Sequence, residues 1–164
     1  MASKTLITYF SHWGHSKAFA EAIQNLTGGD LFEIQTDTFY PVPHDPCSLQ
    51  AHKEQLADFR PRLTSHVDNM AQYDTVFIGH PIWWYREPMA IRTFWESYDF
   101  SGKKVIPFCT SGDFGIGNTE KDAKKWLPTA DVKPGLRLET HAVASSIAKV
   151  KAWLKENEVL EENE

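Results

Sequence analysis

Short runs of apolar residues alternate along the chain with segments of amphipathic character, and this alternation restricts the fold. Three of the runs are largely continuous in apolar residues, at positions 6–10, 76–78 and 105–109. Continuous apolar runs are typical of parallel strands that are buried on both faces of a sheet. The sequence therefore predicts an α/β fold of three layers, in which helices cover both faces of an open, doubly wound parallel sheet.

The pattern places strands and helices along a chain of 164 residues, the length of a single domain. Strands are predicted at residues 5–10, 31–35, 75–80, 104–109 and 132–138, and helices at residues 16–26, 48–58, 88–97, 119–126 and 144–155. The proline-containing stretch 36–70 is interpreted as an enlarged second crossover, because it is too short and polar to form its own core. Residues 156–164 are expected to form a frayed tail.

Composition excludes several classes of partner. The net charge of −5 argues against nucleic acid, which is bound by clustered Lys and Arg. No apolar run approaches the ~18 residues of a membrane span. Two cysteines, Cys47 and Cys109, give no disulfide framework. We therefore expect a cytoplasmic protein that binds neither nucleic acid nor membrane.

Three loops follow the carboxyl ends of predicted strands, which is where open parallel sheets bind ligands. The first loop, residues 11–16, lies between a strand and a helix and carries two serine hydroxyls. Amides at such a helix start bind phosphate, although a serine that only caps the helix gives the same pattern. The loop lacks the Lys-Ser/Thr ending of the NTPase P-loop, which argues against a nucleoside triphosphate with magnesium.

The second and third loops have compositions that suit a flat ligand. Residues 81–87 contain three consecutive aromatic side chains, which cannot all point into one core, so at least one is expected at the surface or over a ligand. Residues 110–117 contain three glycines, whose backbone can approach a polar ring closely. Each loop also has a purely structural interpretation, as a cover of the sheet end or as a flexible connection. Together the three loops predict a site for a phosphorylated planar heterocycle.

These segments resemble the flavodoxin family over nearly the whole chain. The resemblance is carried by residues 9–16, 77–84 and 96–103, and most specifically by residues 105–112 with Gly115-Ile116-Gly117. It implies a five-stranded sheet of order 2-1-3-4-5 and non-covalent FMN. The residues that are expected to contact FMN are Ser11, His12, Trp13, Gly14, His15, Ser16, Pro81, Ile82, Trp83, Trp84, Tyr85, Thr110, Ser111, Gly112, Asp113 and Gly115.

Within this resemblance two functions remain open. One is an electron carrier that docks to a redox partner protein, and the other is a reductase that takes hydride from NAD(P)H and reduces a quinone or similar small acceptor. A third hypothesis is a cofactor-free interaction module, because fold does not fix function. The chain is expected to be a monomer or a homodimer. No acid–base residue is assigned, since a flavin performs the chemistry itself.

Several residues depart from the pattern of the family. Tyr85 stands where glycine is common, so we expect little freedom to adopt a positive φ and weak stabilisation of one-electron-reduced flavin. Asp113 either brings negative charge near the cofactor or points to solvent. Arg86 either attracts an anionic acceptor or pairs locally with Glu87.

Two groups of side chains have the residue types of metal ligands. The spacing of these groups does not supply four converging ligands, so no metal site is predicted. The groups are His12 with His15, and His44 with Asp45, Cys47 and His52.

Overall fold

A computed structural model describes residues 4–112 and 115–161 of the chain. Its centre is one parallel sheet with the order β2-β1-β3-β4-β5, in which β6 also pairs with β4. The strands are β1 (Thr5–Tyr9), β2 (Asp30–Glu33), β3 (Thr75–Pro81), β4 (Lys104–Ser111), β5 (Asp131–Val132) and β6 (Leu136–Glu139). The predicted α/β class and the strand order 2-1-3-4-5 are confirmed.

The helices are α1 (His15–Thr27), α2 (His44–Leu56), α3 (Met89–Ser97), α4 (Thr119–Trp126) and α5 (Ile147–Glu156). Short 3₁₀ helices lie at Met70–Gln72 and Ala144–Ser146. In the described part of the chain, no helix is long and apolar enough to cross a membrane.

Successive residues of the central strands point to opposite faces of the sheet and enter two separate cores. Val76 and Ile78 of β3 belong to the core that also contains Phe94 of α3. Phe77, between them, belongs to the core that contains Phe19 of α1 and side chains of α5. Both faces of β3 are therefore covered, which explains its continuous apolar run.

The fifth strand was predicted as one segment at 132–138, but the structure divides it into β5 and β6. Pro134 lies in the break between β5 and β6, and a proline has no N–H to donate to the ladder. Lys133 still donates its amide to the Val105 carbonyl, at 2.9 Å. Both pieces pair with β4, so the interruption leaves the strand position unchanged.

The enlarged crossover packs closely onto the sheet. Its helix α2 begins at His44, four residues before the predicted start, because Pro46 lies in the first turn, where a missing N–H costs no helical hydrogen bond. Cys47 and Ala51 of this helix are buried in the first core. The returning chain forms an antiparallel bridge between Thr36 and Leu63.

The prediction of a frayed tail over residues 156–164 was wrong for its first residues. Asn157 is buried and donates its side-chain amide to the Pro134 carbonyl, at 3.2 Å. Val159 and Leu160 pack against the second core. Apolar side chains within the tail therefore hold it to the fold, and residues 162–164 lie outside the described range.

Candidate functional site

A cleft of about 570 Å³ opens at the carboxyl edge of the sheet, where the three predicted loops meet. The register of the strands brings the loops together, because Pro81 at the end of β3 pairs with Thr110 near the end of β4. The predicted residues that line the cleft are Ser11, His12, Trp13, His15, Ser16, Pro81, Ile82, Trp83, Trp84, Tyr85, Thr110, Ser111 and Gly112.

Two of the predicted residues that the structure describes, Gly14 and Gly115, are not in the wall. Gly14 lies just before α1 with a φ of 95°, a conformation that favours glycine. Gly115 accepts a hydrogen bond at its carbonyl from the Ser111 hydroxyl, at 2.9 Å. Asp113 lies outside the described residues.

The first loop places the amino end of α1 at the cleft. The Ser11 hydroxyl oxygen accepts hydrogen bonds from the amides of Gly14 and Lys17, at 3.2 and 3.3 Å, so Ser11 does cap the helix. Ser16 is buried, and its hydroxyl lies 3.1 Å from the Thr110 hydroxyl. This second contact joins the first loop to the third. The first turn of α1 carries no acidic side chain, so the positive end of the helix is uncompensated there.

The second loop forms a tight turn from Trp83 to Arg86. Trp83 and Arg86 exchange backbone hydrogen bonds at 2.9 and 3.4 Å, and Trp84 and Tyr85 between them have φ values of 53° and 69°. Positive φ at both central positions defines a type I′ turn, which glycine and asparagine normally occupy. The expectation that Tyr85 avoids positive φ was therefore wrong, and the surrounding contacts hold the backbone of two aromatic residues in a strained region.

The three aromatic side chains of this loop separate as predicted. Trp83 is buried against Phe10 and Tyr40, with ring centroids 5.6 and 5.1 Å away. Trp84 and Tyr85 are 41% and 54% exposed and line the cleft. One tryptophan therefore closes the core while its neighbours form the rim.

Arg137 of β6 holds the third loop, a role that no local pattern in the sequence indicates. Its Nε donates to the Ser111 hydroxyl at 2.9 Å, and its Nη2 donates to the Ser111 carbonyl at 2.8 Å and to the Gly112 carbonyl. The carbonyls of this segment are thereby turned toward β6. A guanidinium presents several donors in a fixed plane, so it fixes the orientation of the loop at several points.

The third loop also contacts the second. The amide of Asn118 donates to the Tyr85 carbonyl at 2.8 Å. Gly117 lies so close that a Cβ on it would stand 2.3 Å from the same carbonyl oxygen. A larger residue at position 117 would separate the two loops.

The cleft has further walls that sequence reasoning missed. The crossover helix α2 contributes His44, Cys47 and Ser48, and the segment after β6 contributes Thr140 and His141. The second pair follows a strand end, so the rule that selected the other loops would have found it. The position of α2 depends on tertiary packing and has no comparable signal.

The basic side chains of the cleft wall are histidines. No lysine or arginine is among the described residues that line it, whereas His12, His15, His44 and His141 all do. The rings of His15 and His141 meet edge to face, with centroids 5.2 Å apart. Burial raises the pKa of the Cys47 thiol to about 11, so this cysteine is a neutral wall residue.

The groups considered as metal ligands do not converge. Within residues 4–112 and 115–161, no cluster of three His, Cys, Asp or Glu side chains has the arrangement to hold a metal ion. His12 instead contacts the Pro41 carbonyl through Nε2 at 2.7 Å, and His44 contacts Asp45 at 3.0 Å.

The doubly wound sheet and its cleft of loops at the switch between β1 and β3 define a ligand-binding α/β protein. The flavodoxin family profile matches residues 4–157, and the chain belongs to this family. No curated protein matches the chain.

Solved structures agree with this assignment. A candidate flavoprotein from Bacteroides eggerthii is 34% identical, with 94% of this chain and 98% of that chain covered and a TM-score of 0.81. A second, from Bacteroides uniformis, is 36% identical, with 92% and 99% covered and a TM-score of 0.81. A flavoprotein from Lactobacillus acidophilus in complex with FMN shares the fold at 22% identity, with 90% and 98% covered and a TM-score of 0.75.

Proposed function

We propose that the cleft binds FMN non-covalently and that the protein transfers electrons through it. The observation that carries the proposal is the convergence, in a flavodoxin-family chain, of a helix amino end, an exposed tryptophan and a loop of small residues on one cleft. The volume of about 570 Å³ lies in the range of small-molecule and cofactor sites. The L. acidophilus flavoprotein that shares this fold is in complex with FMN, which supports the choice of ligand.

Each wall of the cleft has chemistry that fits one part of FMN. The amides of the first loop and the start of α1, with the hydroxyl of Ser16, suit the phosphate, since a helix amino end favours an anion without a lysine. The Trp84 ring suits one face of the isoalloxazine. The segment Thr110, Ser111 and Gly112 suits the polar edge of the pyrimidine, as Arg137 already engages the carbonyls of Ser111 and Gly112.

When bound, FMN supplies one- and two-electron transfer, and the protein orients it and controls access to it. The exposed rim of Trp13, Trp84 and Tyr85 is an apolar surface beside the cleft, and such surfaces suit contact with a redox partner protein. We therefore propose that the protein is an electron carrier, in preference to a reductase.

The alternative is a reductase that uses NAD(P)H and passes electrons to a quinone or similar small acceptor. One feature favours it: Tyr85 is 54% exposed and lines the cleft, and its ring suits contact with a second planar ring such as a nicotinamide. A carrier without its reductase oxidises NAD(P)H only negligibly, whereas a reductase turns over with a quinone alone.

The proposal is tested by titrating purified protein with FMN and following flavin fluorescence. We expect quenching with a Kd below about 1 μM and a yellow complex. Trp84→Leu is expected to weaken binding, and Phe39→Leu, which removes another exposed aromatic side chain outside the cleft wall, is the control. Absence of binding to the unmodified protein would overturn the proposal and favour the cofactor-free module. Steady-state NAD(P)H oxidation with a quinone then distinguishes reductase from carrier.

A further inference from the structure

A buried ionic cluster lies directly behind the turn that carries Trp84 and Tyr85. Glu87 is fully buried, and its Oε1 accepts a hydrogen bond from Arg92 Nε at 3.1 Å. Asp122 of α4 lies 3.5 Å from Arg92 Nη2 and 3.9 Å from Arg86 Nε. Arg86 therefore pairs across to α4, and the local pair of Arg86 with Glu87 is not formed.

The two carboxyl groups of this cluster share one guanidinium. Glu87 Oε1 accepts a hydrogen bond from Arg92 Nε, and Asp122 Oδ2 lies 3.5 Å from Nη2 of the same side chain. Glu87 Oε2 and Asp122 Oδ2 are buried and have no hydrogen-bond donor in the part of the chain that the structure describes, so a proton on Glu87 removes one of two buried negative charges. Burial first, and then Asp122, raise the pKa of Glu87 to about 8, while Arg92 opposes the shift. A buried carboxyl beside a second carboxyl keeps its proton to a higher pH than a free carboxyl does.

The arginines around Glu87 and Asp122 only partly neutralise the negative charge of the two carboxyl groups. Arg92 is shared with Asp58, whose Oδ1 lies 3.3 Å from Nη1, and Asp58 also contacts Arg60. Arg86 is the more exposed of the two arginines and stands 3.9 Å from Asp122. When Glu87 loses its proton, its negative charge is poorly neutralised, and the Glu87 carboxylate repels Asp122.

Both members of the pair are connected to the turn. Glu87 follows Arg86, the residue that closes the turn. Asp122 donates its amide to the Asn118 carbonyl at 2.8 Å, and the amide of Asn118 donates to the Tyr85 carbonyl. The start of α4 therefore holds the turn through Asn118 and through the ionic cluster. If Asp122 moves away from Glu87, the hydrogen bonds that link Asp122 to Asn118 and Asn118 to Tyr85 are strained.

We propose, on the basis of the proposed FMN function, that Glu87 and Asp122 are a positioning pair. A proton on Glu87 keeps the two carboxyls together on Arg92 and so holds the strained Trp84–Tyr85 turn in place beside the flavin. Loss of the proton separates the carboxyls, loosens the start of α4 from the turn and weakens FMN binding. Neither residue lines the cleft, so both act through the turn.

The proton is tested in the protein without FMN. Carbon-13 NMR of labelled glutamate carboxyls is expected to show one titration near pH 8 that is missing in Glu87→Gln and retained in Glu96→Gln. Glu96 is the matched control, because it is partly exposed on the neighbouring α3 and pairs with Arg60 at 2.8 Å. A Glu87 carboxyl that titrates below pH 6 would overturn the proposed pair.

The positioning role is tested with FMN between pH 7 and 9.5. In the unmodified protein and in Glu96→Gln, the Kd is expected to rise with pH, by at most about tenfold per unit. In Glu87→Gln, where the amide cannot ionise, this rise should be absent. An equal rise in Glu87→Gln would overturn the role. Absence of FMN binding by the unmodified protein would instead overturn the proposed function, which the NMR titration does not depend on.

Discussion

The indole of Trp84 lies parallel to the imidazole of His52, with ring centroids 4.0 Å apart and planes inclined by 15°. The same indole donates from Nε1 to the Ser48 carbonyl at 2.7 Å. Both contacts come from α2, so the enlarged crossover fixes the plane of a ring that still lines the cleft. The crossover is therefore part of the site, and its support of Trp84 can be measured.

Replacing His52 by alanine removes the stacked support of Trp84 while leaving the cleft residues in place. An aromatic pair of this kind contributes about 0.5–1.5 kcal/mol beyond the area it buries. We expect His52→Ala to weaken FMN binding by up to about tenfold in a fluorescence titration, and His52→Phe to keep most of the affinity. His66→Ala, at an exposed position, is the control, and a loss of the same size there would argue against the stacking.

Ser16 is the buried hydroxyl of the proposed phosphate site. Removing it in Ser16→Ala deletes a donor to the phosphate and the contact with Thr110, and the net loss for such a hydrogen bond to a charged group is about 1.5–3 kcal/mol. FMN affinity should fall by more than about tenfold, while riboflavin, which lacks the phosphate, should bind almost equally to both proteins. Parallel titrations with the two flavins check this. An equal loss of affinity for riboflavin would show that the substitution perturbs the fold or the contacts with the isoalloxazine ring, and not the phosphate site.

Tyr85 occupies a backbone conformation that costs a residue with a Cβ about 1–2 kcal/mol. Tyr85→Gly removes that strain and gives the turn freedom to reorient. We therefore expect a larger population of one-electron-reduced flavin in this variant than in the unmodified protein, measured by potentiometric titration with visible spectra. Tyr85→Ala separates the two causes, because it removes the ring and keeps the Cβ. If the alanine variant behaves like the glycine variant, the ring and not the backbone is responsible.

Local patterns predicted the features that depend on local chemistry. The apolar runs identified the strands, and the rule for strand ends identified the loops that line the cleft. The predictions failed where distant parts of the chain decide the outcome.

The left-handed conformation of Tyr85 depends on Asn118 and Gly117, which lie more than thirty residues away in the sequence. The burial of Glu87 depends on Arg92 and Asp122. The role of Arg137 depends on β6 pairing with the end of β4.

His80 makes the free energy of unfolding sensitive to acid, and this effect can be measured in the protein without FMN. The side chain is fully buried at the end of β3, its Nδ1 donates to the Pro81 carbonyl at 2.8 Å, and its Nε2 has no partner among the described residues. Burial lowers the pKa of His80 to about 4. As the pH falls from about 6.5 to 4, the unfolded chain binds a proton at this histidine while the folded protein does not, so stability is lost over that window.

The loss amounts to about 1.4 kcal/mol per pH unit and is removed in His80→Gln, which cannot titrate. Glu87 acts in the opposite direction, because its raised pKa gives the folded protein the extra proton between about 4.5 and 8. The two contributions oppose each other from 4.5 to 6.5, so only a comparison of variants separates them. Between pH 7 and 4.5, the free energy of unfolding of His80→Gln, measured with urea, should gain about 2–3 kcal/mol relative to the unmodified protein. His66→Gln, at an exposed site, should show no such gain, and parallel curves for His80→Gln and the unmodified protein would contradict a neutral buried imidazole.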